Sequence, residues 1–171
     1  MLMSKPTLEA EPIAPVELSS AVHLLHRAGQ CADEMFSTSL MSGNMTPRQY
    51  AVLKAVELAS EPSQTTLVEM TGIDRSTVAD IVRRLVERGL VGRRRTRRDA
   101  RMYALRLTAK GHSALRSAEP AAQSTDEKLL AALAPAQRRA FVDALALIVN
   151  TIGPISSARV NRHDERNGSG E

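Results

Sequence analysis

Six arginines stand within the nine residues Arg93–Arg101: Arg93, Arg94, Arg95, Arg97, Arg98 and Arg101. A guanidinium stays protonated at any physiological pH, so a run this dense repels itself unless a polyanion lies against it. Residues 83–106 hold ten arginines against two acids, Glu87 and Asp99, a sharper asymmetry than the net charge of +4. That chemistry suits phosphate and groove contact with a nucleic acid, with an anionic membrane surface as the competing polyanion. A solvated charge run is the bland reading of the same residues.

A second set lies just upstream. The amphipathic stretch from Asp74 to Arg88 packs Val78, Ile81, Val82 and Leu85 on one side and turns Arg75, Ser76, Ala79, Asp80, Arg83 and Arg84 to the other. Near a helix N-terminus Arg75 is placed to pair with guanine, and Ser76 and Thr77 to contact bases or phosphates. Arg83 and Arg84, about two turns on, suit backbone phosphate. An ordinary solvated face with ion pairs such as Asp80 with Arg84 at i,i+4 is the alternative.

Other chemistries find little support. There is no phosphate-cradling glycine loop, nucleophile elbow, HExxH or CxxC, so neither an enzyme nor a metal or cofactor site is expected. The one cysteine, Cys31, excludes an internal disulfide and fits a reducing compartment. His23 and His26 stand at i,i+3, but Cys31 is rotated off their line. No apolar run approaches the roughly 18 residues that span a bilayer, and a soluble, cytoplasmic protein without a membrane partner is expected.

The elements that must position these residues follow from periodicity. With 171 residues, 43% of them apolar and only 2% aromatic, the chain suits one mostly helical domain with an aliphatic core. A first helix is predicted over about 17–40, with Leu18, Val22, Leu25, Ala28, Ala32 and Met35 on one stripe. A second starts at Thr46-Pro47, cap and first helical position. A third, about 63–71, ends at Gly72, and a fourth opens at Asp74 and closes at Gly89. Leu67, Met70 and Ile73 are expected to pack inward, joined to the fourth helix through a Thr71-Gly72-Ile73 turn, which makes a helix–turn–helix.

Leu90-Val91 then leads through the arginine turn to a strand in which Tyr103, Leu105 and Leu107 alternate with Met102, Ala104 and Arg106, implying one buried face. Such a hairpin can lay its turn along a minor groove, where arginine is favoured. Asp99 would orient an arginine by a charge-assisted hydrogen bond. Thr108 caps a fifth helix to about Leu133, which Pro120 should kink or interrupt. A sixth starts near Pro135 and carries Phe141, Ala144, Leu145, Ile148 and Ile152. Residues 1–16 and 156–171 read as disordered arm and tail.

Taken in order, Thr46-Pro47-Arg48-Gln49-Tyr50-Ala51-Val52-Leu53, Gly72-Ile73-Asp74-Arg75-Ser76-Thr77-Val78, Leu85-Val86-Glu87-Arg88-Gly89-Leu90-Val91, Arg98-Asp99-Ala100-Arg101 and Leu107-Thr108-Ala109-Lys110-Gly111 resemble the successive signatures of MarR-type winged helix regulators. The resemblance implies a winged helix–turn–helix over about 46–108 within a single domain spanning 17–155. It implies a homodimer held by helices at about 17–40 and 109–153, on a pseudo-palindromic duplex, acting as a repressor. By the same resemblance Asp99 and Arg101 are the wing's Asp-x-Arg pair, with Arg101 in the minor groove. Apart from the family, the apolar stripes of the terminal helices exceed what one small winged helix covers, which marks a partner surface.

Members of that family are commonly released from DNA by a small molecule, often an aromatic acid, or sense oxidants through a cysteine. The resemblance therefore implies a small aromatic or anionic effector, with His23, His26, Arg27, Gln30 and Met35 on the first helix and Met45, Arg48 and Tyr50 near the second as candidate pocket residues. Cys31 is the alternative, a redox switch, if Arg27 or a histidine lowers its pKa; a small residue in a helix interface is the bland reading. An interaction protein using the same fold without an operator is the remaining class.

Overall fold

The capping residues predicted at Thr46, Asp74 and Thr108 each open a helix. The computed structural model describes residues 20–40, 45–95 and 103–167, with Arg95 and residues 154–167 as backbone alone. Along these run α1 (Ala21–Ser39), α2 (Pro47–Leu58), α3 (Gln64–Thr71), α4 (Arg75–Glu87), β1 (Val91–Arg95), β2 (Tyr103–Leu107), α5 (Ala109–Ala131) and α6 (Pro135–Asn167). The fold is mostly α, a winged helix–turn–helix with flanking helices and one antiparallel hairpin.

Ser20, Thr46, Ser63, Asp74 and Thr108 each accept a backbone N–H three residues on, satisfying a donor the first helical turn leaves open. At the other end, Gly72 and Gly89 take φ of 67° and 70°. Glycine enters this left-handed region without the Cβ penalty. At Gly89 the Leu90 N–H returns to the Leu85 carbonyl and the Gly89 N–H to the Val86 carbonyl, both at 2.9 Å, which stops α4 and turns the chain into β1.

The core sits within the winged unit. Leu53 of α2, Leu67 of α3, Val78, Val82 and Leu85 of α4, Leu105 of β2 and Leu115 of α5 are all fully buried. In the hairpin Val91 pairs with Leu107 and Arg95 with Tyr103, and the Leu105 N–H also donates to the Pro62 carbonyl at 2.9 Å. By contrast α1 buries only Phe36, and α6 leaves Leu147, Val149 and Ile152 more than half exposed.

Three expectations are corrected, and of the two outcomes expected at Pro120 the interruption is excluded. Helix α5 runs through Pro120, which lies on the exposed side, where the carbonyl it deprives of a partner can meet water. Met70 is exposed, because α3 turns Leu67, Val68 and Thr71 inward instead. In β2, Tyr103 is exposed while Ala104 and Leu105 are both buried, so strict alternation fails at the end of the strand. Residues 156–167, read as tail, continue α6 to Asn167, since no glycine intervenes before Gly168 and no proline follows Pro154. The predicted arm at 1–16 lies outside the described residues.

Candidate nucleic-acid interface

The opening of α4 is built by its cap. Asp74 Oδ1 accepts the Ser76 hydroxyl at 2.6 Å and the Thr77 N–H at 2.9 Å. These bonds, the Ser76 hydroxyl first, hold the Asp74 carboxyl far below the usual carboxylate range. Ser76 thus spends its proton on the cap and presents only lone pairs outward. Arg75, beside it, is exposed and has no ion pair among the described residues, so its five donors are free for a partner.

Arg83 and Arg84 stand on the same exposed face in a different state. Arg83 bonds Asp80 at 2.6 Å and Glu87 at 2.8 Å, and Arg84 meets Asp80 at 2.8 Å. The ion-paired surface weighed as an alternative is therefore present, and a phosphate would compete with Asp80 for both side chains and with Glu87 for Arg83. Arg94 lies 3.5 Å from Glu61, itself at φ 75°, while Arg93 is exposed without an ion pair among the described residues. Arg97, Arg98, Asp99 and Arg101 lie outside the described residues, and Arg95 is described only as backbone.

The helix is locked to its surroundings at its far end. Lys110 Nζ donates to the Arg88 carbonyl at 2.9 Å, placing a cation at the negative end of the α4 dipole. The Thr108 hydroxyl donates to the Gly89 carbonyl at 2.7 Å and accepts the Gly111 N–H at 3.0 Å. Gln49 Oε1 completes the α2 capping box and takes Arg88 Nη1 at 3.2 Å. The Thr46-x-x-Gln49 spacing carried a capping-box signal that sequence reasoning left unused.

Away from this face, a cleft of about 270 Å³ lies between α1, α2 and α5. The rings of Phe36 and Tyr50 form one wall, with centroids 5.3 Å apart. The Tyr50 hydroxyl donates to Glu119 Oε2 at 2.9 Å, and Lys54 Nζ stands 3.5 Å from the same oxygen. Burial first, and then the bond to Glu119, push the Tyr50 phenol up to about 12. Of the candidate pocket residues, Tyr50 lines this cleft. His23, His26, Arg27 and Gln30 are exposed nearer the start of α1, with Gln30 Nε2 3.2 Å from His26 Nε2. Half-buried Met35 and exposed Arg48 are not in the lining, and Met45 is in the core. Asp33, Glu119, Gln123 and Asp126 line it without having been expected.

Cys31 is free and exposed. Among the described residues no group of His, Cys, Asp or Glu could hold a metal ion, and no helix is long and apolar enough to cross a membrane.

Residues 44–102 match the MarR family. The chain is 32% identical over 108 residues to the transcriptional regulator HosA of Escherichia coli O157:H7, covering 63% of this chain and 80% of the relative. It superposes with a TM-score of 0.72 on PcaV of Streptomyces coelicolor in complex with its natural ligand, at 32% identity over 81% of this chain and 98% of that one. BpsR of Bordetella bronchiseptica, whose DNA binding is regulated by 6-hydroxynicotinic acid, gives a TM-score of 0.71 at 28% identity over 76% of this chain and 93% of that one.

Proposed function

The chain belongs to the MarR family of transcriptional regulators, and from that premise we propose that it is a cytoplasmic homodimeric repressor that grips a pseudo-palindromic duplex and is released by a small molecule held in the cleft between α1, α2 and α5. Arg75, Ser76 and Thr77 at the start of α4 read base edges in the major groove. The hairpin carries Arg94, Arg95, Arg97, Arg98 and Arg101 toward phosphates and the minor groove, with Arg101 oriented by Asp99. Arg83 and Arg84 reach phosphate in competition with Asp80, and Arg83 with Glu87 as well.

The observation that carries this reading is the state of Arg75, exposed and without an ion pair among the described residues on an otherwise ion-paired face. Dimerisation is supported by the unburied stripes: Val22 is 80% exposed, and Leu147 and Val149 are 68% and 65% exposed. So much apolar surface on two long helices calls for a covering copy. A two-fold dimer would set its recognition helices one duplex turn apart, about 34–36 Å.

Effector control is supported by the cleft, which joins a helix of the reading unit to two helices outside it, and by the small acid that regulates DNA binding in BpsR. The test is selection of bound duplexes from a random pool by the full chain, with its mass in solution measured alongside. A pseudo-palindrome bound by a dimer is expected. A monomer that binds every duplex alike would refute the reading in favour of a general polyanion binder.

A further inference from the structure

The cleft has a lopsided chemistry. Among the described residues its lining includes three carboxylates, Asp33, Glu119 and Asp126, and no Lys, Arg or His. Glu119 is already engaged by Tyr50 and lies near Lys54, but Asp33 and Asp126 have no ion pair among the described residues. A bound anion would face uncompensated like charge here, whereas a cation would find two open partners.

Hydrogen bonding points the same way independently of charge. The Tyr50 hydroxyl gives its proton to Glu119, and the hydroxyl of buried Thr125 gives its proton to the Ala121 carbonyl at 2.8 Å. Each therefore offers a ligand only lone pairs. Among these lining side chains the Gln123 amide alone can donate, so the cleft asks for a ligand rich in donors and poor in acceptors. An ammonium has three donors and no acceptor. The tilted rings of Phe36 and Tyr50 add an aromatic wall, which attracts cations to its faces and packs against an apolar body.

We propose that the effector of this cleft is an organic cation, an amine joined to an aryl or alkyl body, and that aromatic acids are rejected. The proposal rests on the reading of the cleft as the effector site. The ammonium sits between Asp33 and Asp126, and the apolar body lies against Phe36 and Tyr50.

Calorimetry on the full chain with matched probes tests it: tyramine and benzylamine against 4-hydroxyphenylacetate and benzoate. The amines should bind at least about tenfold more tightly than the acids, a difference of roughly 1.4 kcal/mol. Asp126→Asn and Asp33→Asn should each weaken the amines several-fold and narrow the preference over the acids. Circular dichroism checks that the variants fold, and the preference of the unmodified protein stands as a test even if they do not.

Acids bound in preference to amines, with Ala122→Phe in the cleft blocking them, would overturn the cationic ligand and leave the effector site standing. Binding by neither series at millimolar concentration would overturn both.

Discussion

The Tyr50 hydroxyl of α2 donates to Glu119 of α5 at 2.9 Å, joining residues 69 apart in sequence across the wall of the cleft. Because burial and Glu119 together hold the phenol up to about 12, the protonated form is favoured by folding. Its folded pKa exceeds the unfolded value of about 10, so its contribution is complete below about pH 10 and declines as pH rises toward 12. Absorbance titration should show Tyr50 ionising as a late step, well above the ordinary phenol value of about 10. Tyr50→Phe should remove the late step and cost about 1 kcal/mol in thermal unfolding; a titration unchanged by the substitution would break the assignment.

Gly111 is fixed by proximity rather than by its dihedral. A Cβ placed there would stand 2.0 Å from the Leu90 carbonyl oxygen, a backbone atom held in place by the Thr108 N–H. Gly111→Ala should therefore cost roughly 3 kcal/mol, the upper part of the range for overpacking. In a domain of this size that is a fall in melting temperature of roughly 6–12 °C. Gly29→Ala, where an added Cβ meets nothing within 4 Å, is the control and should leave the melting temperature no lower. Equal melting temperatures for the two variants would contradict the close approach.

The cap of α4 predicts a pH dependence of definite sign. Asp74 has its folded pKa depressed by Ser76 and Thr77, so its stabilisation is complete above the ordinary carboxylate value of about 3.9 and shrinks as pH falls below it. The gap in melting temperature between the unmodified protein and Asp74→Ala should be level near neutrality and close in acid. Asp74→Asn should keep the cap, because an amide oxygen also accepts the Thr77 N–H, and should lose this pH dependence. A gap that widens in acid would reverse the assigned sign.

These residues also mark how far the sequence could be read. Asp74, Gly89 and Thr108 announce themselves because a cap acts over three or four residues, within reach of local pattern. The Tyr50 to Glu119 and Lys110 to Arg88 bonds had no such signal, since each depends on how separate elements come to rest. The same limit explains the cleft: the expected pocket residues were taken from α1 and the start of α2, whereas much of its lining comes from α5. Exposure of Tyr103 and Met70 was missed because a two-stranded hairpin and a short helix have ends that outrun the core.

Asp80 offers the sharpest test of the DNA face. It accepts Arg83 at 2.6 Å and Arg84 at 2.8 Å, holding two guanidiniums on a surface proposed to meet phosphate. Asp80→Asn should loosen both and remove a like charge from the phosphate side, so duplex affinity should rise several-fold. Because every further phosphate that an arginine neutralises releases counterions, the slope of log affinity against log salt should steepen by about 0.9 for each one. Arg84→Ala should flatten that slope by a similar amount across all duplexes. Arg75→Ala should instead change which duplexes are preferred, by about 1–3 kcal/mol at one base pair, with little change in slope beyond its own charge. The two arginines separate these contributions because one reports on phosphate and the other on base edges. Weaker binding by Asp80→Asn, with the helix intact, would mean that the ion pairs orient the arginines for DNA rather than withhold them.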